Sequence, residues 1–284
     1  MIILCADDYA LTEGISRAIG ELAAAKRLSA TSVLVTSARW PASAPRLSAH
    51  RGHLSVGLHL NLTVGAPLGP MPRLAPDGAF PGLQGLLARA LLGVLDRGEI
   101  ETEIVRQLDR FEQGMRAPPD HIDGHQHVHV FSGVRAALLA TVRRRYPSRP
   151  PLIRDPSDRL STIKARGMAV PKAFLVAACA VGFARSARRL GLPLNDSFAG
   201  FSNFDPRVAF AEELEKALLQ PGRRHIVMCH PGHPDAELAA VDTVVERRRM
   251  EYDALLRDGG LPARIWRPSR RADGPPLAWA DLQD

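Results

Sequence analysis

The chain has 284 residues, 45% hydrophobic and 24% charged, an ordinary globular balance. Its net charge of +7 invites a nucleic-acid reading, but the arginines are scattered, and three Trp and three Tyr offer little for base stacking, so no nucleic-acid partner is expected. The three cysteines, Cys5, Cys179 and Cys229, are odd in number and far apart, which fits neither a zinc ribbon nor a disulfide framework and suits a reducing, cytoplasmic location.

The amino terminus, Met1-Ile2-Ile3-Leu4 followed by Asp7 and Asp8, lacks the basic start and long apolar stretch of a secretory signal. Residues 2–6 read as a buried parallel strand, and a helix is predicted over 14–26. Further along come a strand at 32–36, a short helix at 42–47 and a third strand at 54–62. Residues 65–85, with Pro67, Pro70, Pro72, Pro76 and Pro81, read as a long surface loop of the kind that forms lids and selects substrates. Helical spacing of Ile100, Ile104, Leu108 and Phe111 covers 86–114, and a strand is predicted over 121–130.

The later chain predicts helices at 133–145, 171–190, 208–219 and 239–256, with strands at 152–154 and 225–229. The longest apolar run, 173–183, falls short of the roughly 18 residues a membrane span needs and reads as a buried helix. Strand and helix alternating implies a parallel sheet with right-handed crossovers, and one α/β domain over residues 1–284 is the economical expectation.

The chemistry-bearing residues fall at strand ends, where α/β folds bind ligands. Asp7 and Asp8 close the first strand, His59 lies in the third, and His121-Ile122-Asp123-Gly124-His125-Gln126-His127-Val128-His129 ends a later one. Residues 226–229 close on His230-Pro231-Gly232-His233. In a regular strand His121, Asp123, His125, His127 and His129 would share one face. Four imidazoles and a carboxylate are costly in a plain core but good ligands for a divalent metal. They cannot all bind one ion, so some should orient the others. An Asp after a strand is also a common helix cap, so Asp7 and Asp8 carry that bland alternative. Adjacent residues of an extended chain face apart, which predicts different roles for the two. A lone His59 would by itself read as structural, and Cys229, beside His230, reads as a buried core thiol rather than a nucleophile.

Four segments together resemble the YdjC-like carbohydrate deacetylases, a group that includes chitooligosaccharide and hopanoid-associated deacetylases. They are Ala6-Asp7-Asp8-Tyr9, Val56-Gly57-Leu58-His59-Leu60-Asn61-Leu62-Thr63, the segment 121–129, and Met228-Cys229-His230-Pro231-Gly232. One departure is Tyr9-Ala10, where the family usually has Phe-Gly. The resemblance implies a distorted TIM-like (β/α) barrel holding one divalent metal, zinc or magnesium foremost, on Asp8, His59 and His125. It further implies Asp7 as general base, His230 as general acid and Arg154 as partner of Asp7. The reaction implied is hydrolysis of the acetyl amide of an N-acetylated sugar: the metal activates water and polarises the carbonyl, and an acid protonates the departing amine.

Two rival readings stay open at this level: a phosphoesterase or amidohydrolase with a second ion near His127 and His129, and a metal- or sugar-binding protein without catalysis. The exposed apolar and Pro-rich segments would suit a homodimer.

Overall fold

A computed structural model describes residues 2–279. Strand β1 (Ile2–Tyr9) is buried along its whole length, as its apolar run dictates for a strand covered on both faces. Then follow α1 (Glu13–Ala24), β2 (Ala30–Val33), α2 (Trp40–Ser48) and β3 (Ser55–Leu60). Helices α3 (Gly82–Leu91) and α4 (Arg97–Met115) lead to β4 (His121–Gly124), a 3-10 turn (His125–Val130) and α5 (Val134–Arg145). After β5 (Leu152–Ile153) come α6 (Leu160–Arg166), α7 (Val170–Cys179) and α8 (Phe183–Arg189), then β6 (Ser197–Ala199). The order ends with α9 (Phe210–Ala217), β7 (His225–Cys229), α10 (Ala236–Val241), α11 (Glu246–Arg257) and α12 (Leu261–Arg264).

The seven strands form one parallel sheet in the order β5-β4-β3-β2-β1-β7-β6, so their carboxyl ends share one rim. The sheet curls into a half-barrel whose edges meet at a single bridge, Ile153 to Leu194, where Ile153 N–H donates to Pro193 O at 2.8 Å. The Asn195 side chain extends that seam: its oxygen accepts from Asp155 N–H at 2.7 Å and its amide donates to Asp155 O at 2.8 Å. Edge groups that would otherwise lack partners are thereby satisfied. The expected distorted (β/α) barrel is therefore present in this curled form. Period-two alternation sorts its residues. Leu4, Ala6, Val56, Leu58, Leu60 and Ile122 pack with the helices, while Ile3, Cys5, Ile226, Met228 and Phe198 cluster separately.

Several predicted boundaries shift, each for a local reason. The strand predicted over 121–130 stops at Gly124, because Gln126 and His127 take left-handed φ values of 53° and 60°. The stretch 86–114 is two helices, since Gly93 turns at φ 70° and Asp96 caps α4, its carboxylate accepting from Glu99 N–H at 3.0 Å. Gly182 at φ 80° similarly divides 171–190 into α7 and α8, and 239–256 holds α11 and the end of α10. Helix α7 is not the buried helix its apolar sequence predicts: Ala173 alone of its residues is fully buried. The Pro-rich segment 65–85 is pinned to α4 rather than free-standing. Met71, Leu74, Ala75 and Phe80 are buried, and Leu68 N–H donates to the Glu103 carboxylate at 3.1 Å.

Candidate active site

The first carboxylates owe their placement to a bulge. β1 pairs Ala6 with Thr31 and next Tyr9 with Val33, so β1 carries one extra residue there, and Asp8 sits at φ 72°. The bulge gives the two aspartates different partners, yet both carboxylates flank His59 instead of facing apart. Neither caps α1. Thr12 does so, its hydroxyl accepting from Ile15 N–H at 3.2 Å. Ala10 also lies at φ 72°, a left-handed conformation that glycine takes without strain. The departure from Phe-Gly thus falls where a glycine would be easiest, and Ala10 takes the left-handed conformation there itself.

Three donor atoms converge at the rim. Asp8 Oδ1 lies 3.3 Å from His59 Nε2 and 3.0 Å from His125 Nδ1. Asp8 and His59 are buried, and His125 retains partial exposure, which leaves a way in. The opposite ring nitrogen of His59, Nδ1, is 2.6 Å from Asp123 Oδ1 and 3.1 Å from Ser32 Oγ. A carboxylate behind an imidazole fixes its tautomer and orientation, the usual support of a metal-binding histidine. Burial opposes a charge on His59, but Asp123 and Asp7 overcome it and raise its pKa to about 10. The pocket, with Asp7, Asp8 and Asp123 against Arg154 and Arg248, therefore favours an added cation. An Asp, His, His donor set of this kind suits a divalent ion.

Behind this group Arg154 grips Asp7 with two parallel bonds, Nη1 to Oδ2 at 2.6 Å and Nη2 to Oδ1 at 2.7 Å. It also reaches Asp123 Oδ2 at 2.5 Å. Burial would raise the Asp7 pKa, but Arg154 holds it well below the usual carboxylate range. Asp7 is thus ionised across the physiological range. Asp7, His59 and Asp123 also cluster within reach of one point, as do Cys5, His121 and Asp123. The guanidinium of Arg154 already binds Asp7, Asp123 and Cys5, which makes those groups poorer cation sites than Asp8, His59 and His125.

The other histidines part company. The His121 Nδ1 lies 3.0 Å from Ser55 Oγ, and its ring occupies the space where a Cβ on Gly57 would sit. His129 braces the rim, its Nε2–H donating to Arg154 O at 2.8 Å. His127 packs edge-on against Phe198 and Phe201, away from Asp8. His230 follows β7, its backbone N–H donating to Glu251 at 2.6 Å and its ring meeting Phe204 edge-on at 5.4 Å. Burial, aided by Arg248, brings its pKa down to about 4. Cys229 is buried, with burial raising its thiol pKa, in keeping with a core role.

Two residues on α11 join this site that the sequence did not single out. Arg248 donates to Asp8 Oδ2 at 2.6 Å and is itself held by Asp242 at 2.6 Å. Glu251 supports the His230 backbone, and burial raises its pKa to about 7. In the sequence both sit in a charged helix resembling a solvated face; only the one-turn spacing of Arg247, Arg248 and Glu251 hints at inward-facing charge.

Fold and site together define a parallel α/β half-barrel with a carboxylate and imidazole cluster at the carboxyl ends of β1, β3 and β4. The chain belongs to the YdjC-like protein family, whose model matches residues 1–259. A carbohydrate deacetylase of Homo sapiens is 32% identical, covering 82% of this chain and 75% of its own length. A chitooligosaccharide deacetylase of Proteus mirabilis is 37% identical over 47% of this chain and 52% of its own. In fold the chain is similar to an Enterococcus faecalis protein described as a cellobiose-phosphate cleavage protein, with TM-score 0.71 at 18% identity, covering 100% of this chain and 98% of that one.

Proposed function

We propose that this enzyme is a metal-dependent carbohydrate deacetylase that hydrolyses the acetyl amide of an N-acetylated sugar. The carrying observation is the convergence of Asp8 Oδ1, His59 Nε2 and His125 Nδ1, with Asp123 backing His59. The names of the human and Proteus relatives support the substrate class. In this reading Asp8, His59 and His125 hold one divalent ion, zinc or magnesium foremost. Such an ion supplies Lewis acidity, polarising a carbonyl and bringing water toward a pKa of roughly 7 in the case of zinc.

The chain's own groups do the rest. Asp7, kept ionised by Arg154, accepts the proton of the attacking water at its carboxylate. Arg154 fixes the carboxylate's orientation and, through Asp123, the ring of His59. Arg248 occupies the second oxygen of Asp8, leaving Oδ1 for the ion. His230 protonates the departing amine. Because it is neutral at rest, the proton it passes to the amine would be the one Asp7 takes from the attacking water, which returns Asp7 to its ionised form.

Acetate release from a panel of N-acetylated sugars, by protein loaded with zinc, magnesium, nickel or cobalt, tests this. Release that depends on the ion and is lost in Asp7→Asn and His125→Ala is the expected result. One tightly bound ion per chain with no acetyl sugar turned over would sink the substrate class. Two ions per chain would point to a phosphoesterase-type centre.

A further inference from the structure

We propose that helices α6, α7 and α8 form a docking face for an anionic lipid surface, on which the protein lies without spanning it. Residues 159–195 hold seven cations, from Arg159 to Arg189, and no Asp or Glu. That equals the net charge of the whole chain, so the rest of the molecule is formally neutral. Arg166 is consumed internally, bonded to Asp158, Leu219 O and Phe198 O. Arg159, Lys164, Lys172, Arg185, Arg188 and Arg189 remain exposed.

Apolar surface lies among these charges. Leu160 at the start of α6 is 59% exposed, Leu175 on α7 59% and Val181 between α7 and α8 71%, where apolar side chains would ordinarily be buried. Within α7, Leu175 and Ala178 are exposed one turn apart with exposed Lys172 a turn before them, and exposed Val181 and Arg185 follow on either side of the bend into α8. Beside them an open groove of about 800 Å³ is lined by Leu160, Phe174, Val181 and Ala184, with Lys164 and Arg185 among its walls; Asp155 and Asp158 also line it, Asp158 being paired with Arg166. A contiguous apolar patch with basic flanks is the signature of an interfacial helix, whose apolar side chains enter the headgroup boundary while its cations meet anionic lipid.

No single helix among the described residues is long and apolar enough to span: α7 and α8 are bent by 42° relative to each other, and α8 carries three arginines, which favours lying on the surface. A second copy of the chain fits less well, because this face would set like charges against each other. The face also begins beside the site, for Lys172 lies 4.8 Å over the Phe204 ring, which meets His230.

The test is co-sedimentation of the full chain with phosphatidylcholine vesicles, with and without phosphatidylglycerol, at low and high salt. Binding is expected only with the anionic lipid and should weaken as salt rises. Leu175→Glu/Val181→Glu and, separately, Arg185→Gln/Arg188→Gln/Arg189→Gln should each lower the partition coefficient about tenfold or more with unchanged melting temperature. Absence of vesicle binding, or equal binding by both folded variants, overturns the proposal. So does a dimer in sedimentation velocity that the Leu175→Glu/Val181→Glu variant dissociates while no vesicle binds, since the face would then be a contact between copies.

Discussion

Two buried aspartate and arginine pairs stand at opposite ends of the sheet. At the amino end, just before β4, Asp120 is gripped by Arg270 at 2.7 and 2.5 Å. Its remaining capacity goes to backbone, accepting from Val56 N–H at 3.0 Å and Leu277 N–H at 3.0 Å, and the Trp279 indole donates to its carbonyl. At the carboxyl end Asp7 is gripped by Arg154 at nearly the same distances, but its other neighbours are the side chains of Ser32 and Cys5. Backbone partners lock a carboxylate into the fold, whereas side-chain partners leave it to serve a neighbouring site. On the proposed mechanism the same ion pair is a staple at one end and an instrument at the other, as barrel folds divide stability from function.

The largest expected effects separate the ends by activity. Asp7→Asn should lower acetate release by roughly 10²- to 10⁴-fold, while the melting temperature moves little, because Arg154 keeps Asp123 as a counter-charge. Equal loss of activity per folded molecule in Arg270→Met would erase the distinction. Chelation should likewise abolish turnover and destabilise the fold, by about 4 kcal/mol if the free ion had been at a thousand times its Kd. Calorimetry before and after restoring the ion reads that shift. Arg270→Met should instead cost about 3–5 kcal/mol in urea unfolding by stranding a buried charge, with kcat unchanged.

A pH series sharpens the comparison at the carboxyl end. Glu251 titrates at about 7 in the fold, against an ordinary 4.5, because burial disfavours its charge. A raised carboxylate pKa gives a contribution to stability that is full below 4.5 and lost as pH rises through 7. Glu251→Gln keeps an acceptor for the His230 N–H and has no charge to desolvate. At pH 8 it should be the more stable by up to about 3 kcal/mol, with the difference vanishing near pH 4. A constant gap across that range would mean that packing, not titration, separates the two.

What could be read from sequence follows the range of the interactions. Asp7, Asp8, His59 and His230 announce themselves because each lies at or near the end of a strand, and strand ends converge by topology alone. His125 was legible through motif resemblance but not through periodicity, since β4 ends at Gly124 and the next residues turn left-handed. Arg248 and Glu251 were hidden because burial is decided by packing between elements, and a charged helix looks alike whether it faces water or Asp8. The same blindness worked in reverse for α7, whose apolar composition suggested the interior it does not occupy. Strand β6, only Ser197–Ala199, carries too few residues for any pattern.

The smallest expected effect concerns the helix that follows the aspartates. An acidic residue after a strand ordinarily suggests a cap, and here that work falls to Thr12, whose hydroxyl accepts from Ile15 N–H at 3.2 Å while its carbonyl accepts from the Ser16 hydroxyl at 2.8 Å. Thr12→Ala removes the side-chain acceptor and keeps the carbonyl. It should cost about 1 kcal/mol, read as a fall of roughly 2–4 °C in melting temperature for a chain of this size. Acetate release per folded molecule should be unchanged, because Asp8 is positioned by the bulge, by Arg248 and by His125 rather than by the helix start. A large activity loss in Thr12→Ala would mean that the first turn of α1 sets the carboxylates, and the division between structural and working groups would then run through this loop rather than between the two ends of the sheet.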